Sequence, residues 1–245
     1  MALSSAAAAA DTKRSLLELT LFKMRNTTDG MTRRTNDFLA NTGLPALKRS
    51  GAGPVGAFNS VVAPDSPFLL LVTSYPSFAA YEAALDKLAG DAEYLKGAEA
   101  LYAAGLPYIR VERSLLRGFP SFPGIEVPKA EEGKTRIYEL RQYESNNVLS
   151  LRRKVKMFDD GEIDLFRKVG MAPVFFGATL AGHNMPNLVY MVGFDDMAAR
   201  EKIWSVFGSS PEWKKMSSQP GVSDGEVVSN ITNWIVRPTP YSEIR

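Results

Sequence analysis

The strongest constraint on the fold is that the chain repeats itself. Residues 51–96 align without a gap on residues 170–215, at a constant offset of 119. Identical residues recur at Gly51/Gly170, Pro54/Pro173, Val55/Val174, Pro67/Pro186, Ala79-Ala80/Ala198-Ala199, Glu82/Glu201, Glu93/Glu212 and Lys96/Lys215, and bulky residues recur at Tyr75/Phe194, Leu85/Trp204, Leu88/Phe207 and Tyr94/Trp213. Glu18-Leu19 likewise meets Glu139-Leu140, at an offset of 121. The chain is therefore expected to fold as two copies of one unit.

Each copy predicts the order strand, broken helix, strand, strand, helix, short helix, strand. In residues 15–25, Leu17, Leu19 and Leu21 alternate onto one face, which is typical of a half-buried strand. The first copy predicts strands at 15–25, 54–62, 68–75 and 108–116 and helices at 31–49 (interrupted near Gly43-Leu44-Pro45), 77–88 and 91–104 (capped by Asp91). The second predicts strands at 136–144, 173–180, 188–194 and 226–237 and helices at 147–169 (broken near Gly161), 197–207 and 211–217.

This order predicts an α+β fold of two tandem ferredoxin-like (split β-α-β) repeats. Helices cover one face of each four-stranded antiparallel sheet, so the other face must also be buried. The two copies satisfy this by closing on each other, as an intramolecular dimeric α+β barrel. The expected division is a tail at 1–13, a first repeat at 14–120, a Pro/Gly-rich linker at 121–133 and a second repeat at 134–240.

Composition excludes several kinds of site. The chain has no cysteine, which removes disulfides, thiolate metal sites and cysteine nucleophiles. The net charge of +2, with basic residues scattered among acidic ones, gives no reason to expect a nucleic-acid partner. No apolar run reaches the roughly 18–20 residues that span a bilayer, so no membrane span is expected.

The alanine-rich start, residues 1–10, is excluded from the fold. It lacks the charged and apolar regions of a complete signal peptide but resembles the small-residue end of one. A leader remnant would place the protein in the periplasm or outside the cell. A plain flexible tail would leave it cytoplasmic.

The strand Arg136–Ser145 carries the candidate ligand pocket. Its alternation places Glu139, Arg141 and Tyr143 on one face and Tyr138 and Leu140 on the other. We expect the leucine face to pack under the helices and the Glu–Arg–Tyr face to point between the two sheets. A spare guanidinium there could hold a carboxylate or phosphate ligand, and Glu18 would take the matching place in the first copy. The alternative is an internal Glu139–Arg141 salt bridge.

Residues in the second copy resemble the NIPSNAP family. The resemblance is carried by Tyr138-Glu139-Leu140-Arg141 with Tyr143, then Pro186-Asn187-Leu188-Val189-Tyr190, then Phe194-Asp195-Asp196-Met197-Ala198-Ala199-Arg200. It spans most of residues 136–237 and, less sharply, 14–117, where Leu17 and Thr20 replace the tyrosine and the arginine. It implies the dimeric α+β barrel fold, a poorly defined biochemical role with proposed functions in vesicle traffic and mitochondrial quality control for animal members, and an export leader in many bacterial members.

No residue pattern indicates a cofactor or a metal. His183, the chain's only histidine, lies in a predicted hairpin turn without a second histidine nearby, so we expect an exposed turn residue. Gly51-Ala52-Gly53-Pro54 leaves a helix and enters a strand, the reverse of a dinucleotide fingerprint. The sequence therefore predicts no cofactor and no metal, and it identifies no catalytic residue.

Three functional hypotheses remain. The first is a binding or interaction module for an unknown small molecule or protein. The second is a cofactor-independent monooxygenase or isomerase of the barrel type acting on an apolar or aromatic substrate, which predicts a cavity of at least ~300 Å³ lined by Glu139, Arg141 and Tyr143. The third is a homo-oligomer that assembles through exposed sheet edges.

Overall fold

The computed structural model describes residues 13–129 and 136–245, so the predictions for residues 1–12 and 130–133 fall outside it. The first copy contains β1 (Leu16–Lys23), α1 (Met31–Phe38), a first π-helical turn (Leu39–Gly43), α2 (Leu44–Ser50), β2 (Gly56–Val62), β3 (Phe68–Tyr75), α3 (Phe78–Ala89), α4 (Ala92–Ala103) and β4 (Arg110–Gly118). Each predicted element of this copy is present.

The second copy repeats this order. It contains β5 (Ile137–Glu144), α5 (Val148–Met157), a second π-helical turn (Phe158–Glu162), α6 (Ile163–Val169), β6 (Ala172–Ala181), β7 (Asn187–Phe194), α7 (Met197–Ser209), α8 (Pro211–Ser217), α9 (Asp224–Val227) and β8 (Asn230–Pro238). The prediction of one strand over 226–237 is wrong at its start, where Glu226 and Val227 belong to α9. The Glu226 carboxylate accepts hydrogen bonds from the backbone of Gly221 and Ser223, which holds this short turn together.

The eight strands form one closed antiparallel barrel in the order β1-β3-β2-β8-β5-β7-β6-β4. Each copy contributes the ferredoxin-like order 4-1-3-2, and the pairs β2–β8 and β4–β6 join the copies. The predicted fold class is thus confirmed. Since every strand of the barrel is paired on both sides, assembly through exposed sheet edges is ruled out for these strands.

The two faces of the strands are the reverse of those predicted. Tyr138 and Leu140 point into the barrel, where the Tyr138 ring packs on Phe58 of the other copy at a centroid distance of 5.3 Å. Glu139 and Arg141 instead lie under the helices of the second copy. A closed interior is stabilised by large apolar side chains, each worth about 1.5–3 kcal/mol when buried, whereas a charge buried there without a partner is costly. The interior cluster comprises Leu17, Leu19, Phe58, Phe68, Leu70, Val72, Leu116, Tyr138, Leu140, Val174, Phe175, Val189, Met191, Val236 and Ile244.

The helices begin at equivalent caps. Ser77 and Asp196 accept hydrogen bonds from backbone amides at the start of α3 and α7. Asp91 and Ser210 do the same for α4 and α8, and Asp91 is the predicted cap. Such caps satisfy amides that have no partner within the helix.

The first helix of the first copy is continuous where a break is predicted, because a π-helical turn widens it between α1 and α2, just before Pro45, which has no N–H to donate. The matching helix of the second copy is broken near Gly161, as predicted. The second π-helical turn lies 119 residues after the first, and Gly161 within it leaves the helical conformation, at φ 147°, and kinks the helix. A π-helical turn therefore occupies the equivalent position in each copy. Such turns are frequent at functional sites.

Each helix of the described residues is too short or too polar to cross a membrane.

Candidate functional site

Glu139 lies in a saturated polar cluster beneath α7. Arg200 donates to both carboxylate oxygens, at 2.7 and 2.9 Å. The Trp204 indole N–H donates at 2.7 Å and Arg141 at 2.8 Å. Burial alone would raise the pKa of Glu139, but the hydrogen bond from Arg200, the charge of Arg141 and the bond from Trp204 together hold it below its usual value. Glu139 is thus an ionised, fully buried anchor.

Arg141 and Tyr143 belong to the same cluster and contact each other within it. The Arg141 guanidinium stacks on the rings of Trp204, at 4.5 Å, and Tyr143, at 5.3 Å. It also donates to the Tyr143 hydroxyl at 3.1 and 3.2 Å, and that hydroxyl pairs with Tyr190 at 2.9 Å. The salt bridge between Glu139 and Arg141 matches the alternative weighed from the sequence. Side chains therefore occupy the space that the enzyme hypothesis reserves for a substrate.

The corresponding space in the first copy is a cavity. It holds about 230 Å³ between the sheet and helices α1 to α4, and Glu18 lines it. This volume is below the ~300 Å³ expected of an enzyme pocket. A cavity of about 150 Å³ binds benzene, so there is room for a compact ligand of one or two rings.

Side-chain size explains why one copy is open and the other filled. Several cavity positions carry a smaller residue in the first copy than in the second. They include Thr20/Arg141, Leu39/Phe158, Leu47/Phe166, Leu71/Tyr190, Leu85/Trp204 and Leu88/Phe207. In the second copy the larger residues form one packed cluster, in which the Phe166 ring lies 5.1 Å from Phe207 and 5.7 Å from Trp204. The cavity is the volume that these residues fill.

The polar end of the cavity surrounds Glu18. Thr20 donates a hydrogen bond to its carboxylate at 2.9 Å, and the Arg113 guanidinium lies 3.3 Å away. Burial, the nearby Glu18 charge and a hydrogen bond to Glu18 raise the pKa of Tyr81. Tyr81 is the equivalent of Arg200, and Thr20 is the equivalent of Arg141. At these two positions Glu18 therefore has hydroxyl groups beside it, whereas Glu139 has guanidinium groups. A carboxylate can accept about four hydrogen bonds, and a ligand donor in the cavity can reach Glu18.

Protonated phenols form much of the remaining polar wall. Burial raises the pKa of Tyr75 to about 12. Burial and a hydrogen bond to Tyr102 raise the pKa of Tyr108 to about 12, and the two hydroxyls are 3.0 Å apart. These groups are neutral donors at physiological pH. Leucines, Phe38 and the first π-helical turn supply the apolar wall.

The structure separates the four predicted pocket residues. Glu18 lines the cavity, whereas Glu139, Arg141 and Tyr143 lie in the filled copy. Sequence reasoning missed the cavity residues Tyr75, Tyr108 and Arg113. The repeat carries a signal for the cavity, because pairs such as Leu85/Trp204 are apolar in both copies but differ in size.

His183 lies in the turn between β6 and β7, and its side chain is 65% exposed, as predicted. In the described part of the chain, no cluster of three or more His, Asp or Glu side chains could hold a metal ion.

Comparison with solved structures gives the fold. A candidate monooxygenase from Fusobacterium nucleatum is 9% identical, with a TM-score of 0.60 over 93% of each chain. A candidate monooxygenase from Lactobacillus acidophilus is 7% identical, with a TM-score of 0.60 over 92% of this chain and 94% of that one. At such identities the likeness extends to the barrel alone.

Two further comparisons concern only part of the chain. The solved structure of an uncharacterised NIPSNAP-like domain protein from Burkholderia xenovorans is 20% identical over 44% of this chain and 88% of its own, with a TM-score of 0.39. No curated protein matches the chain. The NIPSNAP family model matches residues 138–243, which include Glu139, Arg141 and the saturated cluster. The second copy of the chain therefore carries a NIPSNAP domain.

Proposed function

We propose that the first copy binds a small, largely apolar molecule in the cavity beside Glu18. The observation that carries this proposal is the contrast between the copies, because several smaller residues leave one cavity in the first copy where larger ones fill the second. A void of this size forfeits packing contacts that its lining residues would otherwise make. A bound ligand would restore those contacts.

The lining defines the class of ligand. The apolar wall favours a body of one or two rings, and neutral phenols such as Tyr75 donate to carbonyl or ether oxygens. The Glu18 carboxylate accepts from a hydroxyl group and repels a second anion. We therefore expect a neutral aromatic or alicyclic molecule that carries a hydroxyl or carbonyl group.

A matched pair of tryptophan substitutions tests this proposal with 2-naphthol as the probe. Leu85→Trp installs the residue that fills the second copy at Trp204, so it should abolish naphthol binding in calorimetry while the protein stays folded. Leu95→Trp makes the same change on α4 at a residue that is 45% exposed and outside the cavity, so it should bind as the unmodified protein does. Equal binding by both variants would contradict the proposal.

A second candidate function is cofactor-independent catalysis at Glu18, as an isomerase or monooxygenase. It is favoured by a carboxylate placed in a mostly apolar pocket, where a base can take a proton from a carbon next to a carbonyl group. Proteins of this fold that are described as candidate monooxygenases fit the same idea.

Proton exchange separates catalysis from binding. The ketone 2-tetralone has acidic C–H groups, and their exchange in D₂O can be followed by NMR. A catalytic Glu18 would accelerate the exchange above the buffer rate, and Glu18→Gln would remove that acceleration while 2-tetralone still binds. Binding without accelerated exchange would leave only the first function.

A further inference from the structure

The barrel has one covered end and one open end. Ile125 and Ile244 follow β4 and β8 and pack on the interior cluster at the covered end, where Ile244 is fully buried. At the other end a cavity of about 380 Å³ enters the barrel. We call this cavity the barrel mouth, and its main lining residues are Lys23, Asp65, Glu112, Gln142, His183 and Trp234.

The barrel mouth is separate from the Glu18 cavity. Along β4, Glu112 and Ser114 point into the barrel, while Arg113 between them faces the helices and lines the other cavity. The wall of the barrel therefore stands between the two sites. The mouth is thus a second site, apart from the one proposed at Glu18.

Both copies contribute equivalent positions to the mouth, and those positions have diverged. The first copy supplies charged groups, Asp65 and Glu112, where the second supplies Asn184 and Thr232. The second copy supplies Trp234 where the first has only Ser114. One side of the mouth is consequently acidic and the opposite side aromatic.

On the acidic side two carboxylates, Asp65 and Glu112, share one ammonium group, that of Lys23. Lys23 Nζ lies 2.8 Å from Asp65 Oδ2 and 2.8 Å from Glu112 Oε1. These hydrogen bonds, with that to Asp65 the larger effect, raise the pKa of Lys23, so it stays protonated. His183 Nε2 is 4.0 Å from Glu112 Oε2. One ammonium group, that of Lys23, thus faces the two carboxylates of Asp65 and Glu112, and Arg110 acts on Asp65 only through its longer-range charge.

The aromatic side offers a surface inside the barrel. Trp234 packs edge-on against Phe68, with ring centroids 6.4 Å apart. Its buried indole nitrogen has no hydrogen-bond partner among the residues that the structure describes. Leu70 and Val189 line the mouth further in. An aromatic face beside acidic groups is the environment that organic cations prefer.

We propose that the barrel mouth binds a small primary amine with an aromatic or apolar body. The ammonium group of the amine pairs with the carboxylates of Glu112 and Asp65, and the body of the amine lies against Trp234. An organic carboxylate is disfavoured because it would compete with two carboxylates that already hold Lys23.

Binding of 2-phenylethylamine, measured by calorimetry, tests the proposal against its isosteric anion 3-phenylpropanoate. We expect the amine to bind and the anion to bind at least about tenfold more weakly. Glu112→Gln should weaken amine binding about tenfold, whereas Glu126→Gln, the same change in a surface ion pair with Arg167, should have no effect. Lys23→Met should strengthen amine binding, because it frees both carboxylates for the ligand.

The outcomes discriminate between the two sites. Leu85→Trp should leave amine binding intact, and loss of amine binding in that variant would overturn the mouth as the site. No binding of the amine at millimolar concentration, or equal binding of the anion, would overturn the proposal as well. Circular dichroism and the thermal midpoint of each variant confirm that it is folded, and the opposite signs expected for Glu112→Gln and Lys23→Met exclude a general loss of structure as the cause.

Discussion

Glu18 and Glu139 occupy the same position in two copies of one fold, on β1 and β5, but only Glu139 is held by two arginines and an indole. Glu18 instead meets a threonine hydroxyl and a half-exposed arginine, and it borders a cavity. In the second copy the carboxylate at this position is thus a structural anchor. In the first copy the equivalent carboxylate lines a cavity.

Trp204→Leu should destabilise the protein by about 2–4 kcal/mol, because it removes a large, partly buried ring that packs on the core and the hydrogen bond to Glu139. Urea unfolding of the purified variant measures this change. It should also open a cavity in the second copy like that of the first, so 2-naphthol should raise the thermal midpoint of the variant more than that of the unmodified protein.

The matched control for this substitution is Leu85→Ala at the equivalent position of the first copy. That side chain is 39% exposed at the edge of an existing cavity, so the expected cost is about 1 kcal/mol or less. Similar losses for both variants would mean that the two copies are packed alike, contrary to the arrangement described.

Arg141→Met should destabilise the fold by about 3–5 kcal/mol, because it removes one partner of a buried ion pair and leaves Glu139 short of a donor. If the Arg141 guanidinium were instead spare for a carboxylate or phosphate ligand, as the strand pattern predicts, the same substitution would leave the fold intact. Urea unfolding distinguishes the two outcomes. Arg113→Met, at the partner of Glu18 whose side chain is 57% exposed, should cost less than about 1 kcal/mol.

A second substitution identifies the cause of the loss. Glu139→Gln in the Arg141→Met background removes the charge that lacks its partner, so it should recover part of the lost stability. An additive, further loss would show that Arg141 acts through packing on Trp204 and Tyr143 rather than through its charge.

The fold was predictable because the repeat fixes it. An ungapped offset of 119 ties every strand and helix from Gly51 to Lys96 to a partner, and only a barrel buries both sheets. The helix break near Pro45 was not predictable as a π-helical turn, since a proline in a helical pattern is equally consistent with a kink.

The site was less predictable, because alternation separates the faces of a strand without saying which one is inside. Leu140 and Glu139 fit either assignment until the helices above β5 are known to supply Arg200 and Trp204. The cavity depends on differences of side-chain volume between copies, and these become meaningful only once both copies are superposed in space.

Acidification should destabilise the protein partly through Glu139. Its pKa in the folded state is below the ordinary value of 4.5, so its contribution to stability is present above that value and lost as the pH falls through the folded pKa. The free energy of unfolding should therefore drop less steeply on acidification in Glu139→Gln than in the unmodified protein. Parallel pH curves below 4.5 would refute this role. Asp91, the partly exposed cap of α4 whose pKa is also lowered, serves as a comparison through Asp91→Asn.

Alkaline conditions should destabilise the first copy through Tyr75. Burial raises the pKa of its phenol from 10.0 to about 12, so the folded state keeps a proton that the unfolded chain releases. Stability is then fully present below pH 10 and falls as the pH rises towards 12. Tyr75→Phe reproduces Phe194 of the second copy and should remove one late-ionising phenol from the ultraviolet titration. The stability of this variant should also fall less between these pH values.

Tyr102→Phe, at a side chain that is 57% exposed, is the control and should leave the late-ionising phenol of Tyr75 in the titration. An unchanged titration in Tyr75→Phe would mean that this phenol ionises with the exposed ones, and the cavity would then be far wetter than its lining indicates.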